Sequence, residues 1–183
     1  MNKVIVILGP TAVGKTKLSV ELAKKINGEI INADSTQVYK NLNIATAKIT
    51  EEEKENIVHH LFDVKEINDD YTVYDYQKDV RKLIDDIKSR GKTPILVGGT
   101  GLYIKAALYD YEFDEEELIV SDYSKYSTDE LYSMLLKIDS ETKIHKNNRK
   151  RIERTLDVYN SKGKLDKKTN KDILLYDSIF IGL

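Results

Sequence analysis

The chain of 183 residues contains no cysteine, which excludes a disulfide framework and any thiolate-held metal. It also lacks an apolar run of membrane-spanning length. The apolar stretch near its N-terminus, Val4-Ile5-Val6-Ile7-Leu8, is too short for the hydrophobic region of a signal peptide. A cytoplasmic protein with no membrane partner is the expectation. Internal repeats and low-complexity tracts are missing, and so is an excess of basic residues. The formal net charge of −2 argues against strong non-specific attraction to nucleic acid.

What is present begins directly after that apolar stretch. Gly9-Pro10-Thr11-Ala12-Val13-Gly14-Lys15-Thr16 stands between a strand pattern and the helix pattern Leu18 to Ile26, the setting of a phosphate-binding P-loop. Gly9 and Gly14 leave room for the backbone to wrap a phosphate, whose charge meets amide groups and the positive end of a helix dipole. Lys15 adds a flexible cation near the terminal phosphate, and the Thr16 hydroxyl is placed to bind Mg²⁺. A second strand, Glu29 to Ala33, runs out into Asp34-Ser35-Thr36-Gln37-Val38-Tyr39. A carboxylate at that point accepts a proton from an incoming nucleophile, holds magnesium through water, or simply closes a turn. A third strand, Pro94 to Val97, ends in Gly98-Gly99-Thr100-Gly101 before a helix from Leu102 to Leu108. This second glycine-rich turn either brings amides and the Thr100 hydroxyl towards the same phosphate or serves close packing alone. Since the strand ends in Gly and not Asp, a motor-like ATPase or GTPase is disfavoured, while Asp34 or Asp63 would serve a kinase.

Around these motifs the pattern is α/β. Length and a hydrophobic content of 40% suit one domain with an appendage. Thr50 to Glu53 has capping-box spacing, His59 to Val64 reads as a short strand, and Thr72 caps a long amphipathic helix ending at Ser89. The pair His59-His60 has no third ligand spaced nearby and reads as structural. Between Asp110 and Glu130 nine acidic residues face one basic, and between Lys143 and Lys168 ten basic residues face three acidic. Helices are expected at about Thr128 to Ile138 and Asn148 to Tyr159. On the second, Ile152, Leu156 and Tyr159 form an apolar stripe, while Arg149, Lys150, Arg151 and Arg154 either grip a polyanion or form a solvated face. Tyr176 to Leu183 reads as a strand that returns to the core, and the polar stretch Asp166 to Asp172 as a loop. The expected architecture is a P-loop NTPase-like three-layer fold. Residues 1–110 and 170–183 supply a parallel sheet flanked by helices, and residues 111–169 a small helical insertion carrying the basic helix.

These residues resemble the tRNA dimethylallyltransferases. The resemblance rests on Gly9 to Thr16, Asp34 to Tyr39, Thr46-Ala47-Lys48, His59-His60-Leu61, Arg90 to Ile104 and Ile144 to Tyr159, in family order. It implies a monomeric enzyme that uses Mg²⁺ to transfer a dimethylallyl group from dimethylallyl diphosphate to the exocyclic amine of an adenosine beside the anticodon of tRNA. Gly9, Pro10, Thr11, Ala12, Val13, Gly14, Lys15 and Thr16 would then hold the leaving diphosphate, with Thr11, Lys15 and the metal-bearing Thr16 stabilising its charge. Asp34 would be the general base. Ser35, Thr36 and Gln37 would contact the extruded nucleotide, Thr100 would line the channel, and Lys150, Arg151 and Arg154 would bind tRNA. The chain departs from the family at Thr36, Ala45 and Lys146, where Met, Gly and Pro are usual. The segment before Ile144 is short and acidic and lacks a tRNA-contacting arginine. The chain ends at Leu183, where family members continue with a portion bearing a further diphosphate-contacting arginine and much RNA-binding surface. Neighbouring readings are an adenylate isopentenyltransferase acting on a free nucleotide, a small-molecule P-loop kinase that leaves Gly98 to Ile104 unexplained, and a non-catalytic nucleotide- or RNA-binding protein.

Overall fold

The structure is a computed structural model that describes residues 3–44, 46–113, 120–163, 165 and 172–183. Ala45, the acidic run Asp114 to Glu117 and most of the polar stretch after Asp166 lie outside the described residues. The chain divides into two compact units, Met1–Phe113 with Asn170–Leu183, and Asp114–Thr169.

In the first unit, β1 (Val4–Leu8), β2 (Gly28–Asn32), β3 (His59–His60), β4 (Thr93–Gly98) and β5 (Ser178–Gly182) form a parallel sheet in the order β3-β2-β4-β1-β5. Its helices are α1 (Lys15–Ile26), α2 (Glu51–Lys54), α3 (Val73–Ser89) and α4 (Gly101–Leu108). Alternate strand residues serve opposite faces. Val4, Val6, Ile31 and Leu96 share a core with Tyr76, Val80 and Ile84 of α3 and Ile104 and Leu108 of α4. Ile5, Ile7, Ile30 and Ile95 pack with Val20 and Ala23 of α1. Each face of the sheet thus has its own helix layer, the three-layer arrangement expected of a P-loop fold.

Local chemistry explains the boundaries. Thr72 and Asp75 make a reciprocal capping box at the start of α3, and Gly91 turns left-handed (φ 71°) just beyond its end. The last carbonyls of α4, which no helix can satisfy internally, are taken by side chains of α3. Gln77 donates to Ala106 O at 2.9 Å, and Arg81 donates to Ala106 O at 3.0 Å and Tyr109 O at 2.7 Å. The strand expected from His59 to Val64 is shorter, because only His59 and His60 pair with β2. Leu61 (φ 61°) and Asp63 (φ 55°) adopt left-handed backbone, which turns the chain out of the ladder.

At the start of β2, Glu29 is 2% exposed and is met by two cations and an imidazole. Arg90 reaches it with two nitrogens at 2.5 and 2.7 Å, Lys92 at 2.7 Å and His60 Nε2 at 2.7 Å. The Arg90 guanidinium, helped by Lys92 and His60, holds this carboxyl far below the usual carboxylate range although burial pushes the other way.

The second unit contains α5 (Thr128–Ile138) and α6 (Arg149–Lys162), which close over Leu131, Leu135, Ile152 and Leu156. Tyr159, expected on that stripe, is half-buried, and the buried place is taken by Asp157. Its carboxylate accepts from Ser121 N (3.1 Å) and the Tyr123 hydroxyl (2.9 Å), which satisfies the charge away from water. Among the described residues no helix is long and apolar enough to cross a membrane.

Candidate phosphate-binding site

Because β4 lies between β1 and β2, the turns that follow these three strands emerge side by side at the carboxyl edge of the sheet, where open α/β sheets bind ligands. The first turn is the loop Gly9 to Gly14. Gly14 is left-handed (φ 93°), and so is Ala12 (φ 68°), a conformation a residue with a side chain holds only under constraint. Lys15 Nζ folds over the loop and donates to the carbonyls of Gly9 (2.9 Å) and Pro10 (2.6 Å).

Two helices start at this edge, and both lack a side-chain cap. Gly14 has nothing to offer α1, and the hydroxyl of Thr100, at the start of α4, instead accepts from Ser35 N at 3.3 Å. The helices α2, α3, α5 and α6 are each capped by a side chain. The first amides of α1 are therefore left without a side-chain acceptor where an anion would be met by a helix N-terminus.

Asp34 stands just past β2. Its Oδ1 accepts from Thr36 N (2.9 Å) and the Thr36 hydroxyl (2.7 Å), so the residue closes a turn and keeps a carboxylate at the sheet edge. Asn32, fully buried, holds that turn: its Oδ1 accepts from Asp34 N (3.0 Å), and its Nδ2 donates to Asp34 O and Leu61 O (3.0 Å each). The Gly98 turn fits tightly against the same segment, since a Cβ on Gly98 would lie 2.2 Å from Ala33 O.

These elements enclose a cavity of about 550 Å³. Its polar lining includes Thr11, Lys15, Thr16, Asp34 and Gln37, with Glu53 and Glu55 also present, and its apolar lining includes Val20, Ile30, Ile49, Phe62 and Val97. Ala12 and Gly14 also line it, whereas Gly9, Pro10 and Val13 shape the loop from outside the cavity, and Ser35, Thr36 and Thr100 stand beside it. The Thr16 hydroxyl and the Asp34 carboxylate are hard oxygen donors of the kind that suits Mg²⁺. No group of three or more His, Cys, Asp and Glu side chains able to hold a metal exists among the described residues. His59 also lines the cavity. Its Nδ1 engages Ile57 O at 2.8 Å, and burial pushes the imidazole below its ordinary pKa.

On α6 the basic residues separate into two kinds. Arg149 is committed to its own unit: its guanidinium donates to Tyr126 O (2.9 Å) and Tyr123 O (2.8 Å) and pairs with Glu153 (2.7 Å). Lys150, Arg151 and Arg154 are exposed.

The sequence matches the family described as IPP transferase over residues 37–183, most of the chain. The chain belongs to the IPP transferase family. It is 50% identical to a tRNA dimethylallyltransferase of Anoxybacillus flavithermus over 190 residues, which covers 100% of this chain and 61% of that relative. The corresponding enzyme of Bacillus subtilis is 45% identical over 98% of this chain and 61% of its own. A solved tRNA delta(2)-isopentenylpyrophosphate transferase from Staphylococcus epidermidis is similar with a TM-score of 0.65 at 41% identity, covering 100% of this chain and 63% of that one. A eukaryotic dimethylallyltransferase described as acting on tRNA gives a TM-score of 0.85 at 36% identity, over 100% of this chain and 48% of the other. The chain thus spans about three-fifths of the length of the curated relatives it matches.

Asn32, which holds the Asp34 turn, was not singled out from the sequence. Its signal was a polar residue placed directly after Ile30-Ile31 in a buried strand. Such a group must find partners inside the protein.

Proposed function

We infer that the chain carries the dimethylallyl-transfer site of a tRNA dimethylallyltransferase. One observation supports this above the others. A single cavity is lined by the P-loop residues Thr11, Lys15 and Thr16, by one carboxylate just past the sheet edge, Asp34, and by apolar side chains that include Ile49 and Phe62. The P-loop residues suit the anionic end of an isoprenoid diphosphate, and the apolar side chains suit its hydrocarbon tail.

In this reading the exocyclic nitrogen of an adenosine attacks the allylic carbon, the bond from that carbon to the diphosphate oxygen breaks, and the departing diphosphate carries the electron pair. Lys15 and the uncapped amides of α1 meet the developing charge. The amine proton passes to Asp34, whose Oδ1 is held by Thr36. Thr11 contacts the diphosphate, and Ser35, Thr36, Gln37 and Thr100 border the nucleotide. Thr16 would hold Mg²⁺, which supplies further neutralisation of the leaving group when bound. The chain acts as a monomer, and Lys150, Arg151 and Arg154 neutralise RNA phosphates.

The test is incubation of the purified chain with dimethylallyl diphosphate, Mg²⁺ and either unmodified tRNA or AMP, read by mass spectrometry. Prenylated adenosine in tRNA is the expected product, and a product on AMP alone would replace this reading with transfer to a free nucleotide. Lys15→Ala should weaken binding of magnesium pyrophosphate by about tenfold or more. Asp34→Asn should cut turnover by about a hundredfold or more while sparing that binding; parallel losses of both would remove Asp34 from its role.

A further inference from the structure

Part of the cavity lining, Gln37 and Thr46 to Ile49 without Lys48, is not part of the sheet. Beyond Asn32 the chain leaves β2, and beyond His60 it leaves β3, yet the two departing segments remain paired. Asp63 N donates to Gln37 O (3.3 Å), Val64 N to Val38 O (2.9 Å) and Lys40 N to Lys65 O (2.8 Å), with a parallel bridge between Tyr39 and Lys65. A ladder this short, next to two left-handed residues, is weak by itself.

Lys48 reinforces it. Its side chain is 4% exposed, unusual for a lysine, and Nζ pairs with Asp63 Oδ1 at 2.6 Å and donates to Tyr39 O at 2.6 Å. One ammonium therefore ties one segment to the other from between them. The same turn supplies the Thr46 carbonyl, which accepts from Gln37 Nε2 at 2.8 Å. Gln37 and Thr46 both line the cavity, whereas Lys48 does not.

We propose that Lys48 is a positioning residue for the acceptor side of the site: it clamps the Gln37 to Tyr39 segment onto Asp63 to Lys65, and so sets Gln37, and Asp34 next to it, without touching substrate. This rests on the transfer reading above. A buried ammonium held by one carboxylate and one carbonyl is a strong clamp because loss of either partner leaves a charge away from water. The P-loop shares none of these bonds, so donor binding is insulated from it.

The experiment compares wild type, Lys48→Met, Lys48→Arg and Asp63→Asn in the full chain. Lys48→Met is expected to raise KM for the nucleotide acceptor about tenfold and lower kcat, since small misplacements at a reacting centre are costly, while affinity for magnesium pyrophosphate stays within about twofold. Hydrogen exchange at the Lys40, Asp63 and Val64 amides should accelerate by about tenfold or more. Lys48→Arg should recover part of both effects. Asp63→Asn, on a half-exposed residue, should repeat them in milder form, and its combination with Lys48→Met should be less than additive. Unchanged exchange at those amides in Lys48→Met, or in Asp63→Asn should Lys48→Met fail to fold, would overturn the proposal. So would a loss of pyrophosphate affinity parallel to the loss of acceptor affinity. A wild type that transfers to no acceptor would instead refute the transfer reading, and the exchange data would still decide whether Lys48 clamps these two segments.

Discussion

Gly98 has the least room for a side chain of any glycine at the site. A Cβ there would meet Ala33 O at 2.2 Å and Ala33 Cα at 2.9 Å, a clash of backbone with no side chain to move aside. Gly98→Ala should therefore cost about 3 kcal/mol or more of stability and displace the run from Ala33 to Asp34. Gly101→Ala meets nothing within 4 Å and should change stability by less than about 1 kcal/mol. Urea midpoints of the two variants measure the contrast, and equal losses would contradict it. The same pair of variants resolves what the glycine-rich turn does. Its first glycine is required by packing, while the Thr100 hydroxyl accepts from Ser35 N and leaves the first amides of α4 without a side-chain cap. Asp34 was legible in the sequence because a carboxylate follows an apolar strand beside a P-loop. Asn32 and Lys48 were not, since their partners, Leu61 O for one and Asp63 for the other, meet them only once the chain has folded.

Among the elements, α6 carries basic residues of two kinds, one bonded within its unit and three exposed. Arg149 holds Tyr123 O and Tyr126 O, so Arg149→Ala should lower the stability of the second unit and leave the salt dependence of RNA binding alone. Replacing Lys150, Arg151 and Arg154 together by alanine should flatten the slope of log K against log salt by about 2, because each phosphate neutralised on a single-stranded loop adds roughly 0.7 to that slope. Filter binding over a range of salt concentrations distinguishes the two, and an unchanged slope in the triple variant would take this face out of the interface. The helices were readable in advance because their signals are local. Thr50, Thr72, Ser127 and Asn148 all cap the helices that follow them, and each lies next to its own partner. The early end of β3 was not readable, because the apolar pattern from Leu61 to Val64 permits a strand and only the left-handed turns at Leu61 and Asp63 forbid one.

At the scale of the whole molecule, the Glu29 cluster links β2 and β3 to the end of α3 and to Lys92 just before β4, and makes stability depend on pH. Its carboxyl is depressed in the folded chain, so its contribution is complete above the ordinary value of 4.5 and is lost as pH falls below it. Glu29→Gln should cost about 3 kcal/mol near neutrality, and the gap from wild type should narrow as pH is lowered from about 5 towards about 2 in urea titrations. A gap independent of pH would refute the assignment. That β2 and β4 adjoin could not be read from local patterns, because strand order is a property of the complete sheet. The order carries a consequence for how the molecule is made. The strand that leads into the P-loop precedes the other four in the sequence, yet its neighbours in the sheet are β4 and β5, and Leu183 N donates to Leu8 O at 2.9 Å beside Gly9. During synthesis β1 emerges from the ribosome with both edges bare and must wait for nearly the whole of this sequence before its second edge is covered. Non-local pairing of this kind closes late and exposes apolar surface meanwhile, so a nascent chain has its P-loop residues long before it has a P-loop supported on both sides.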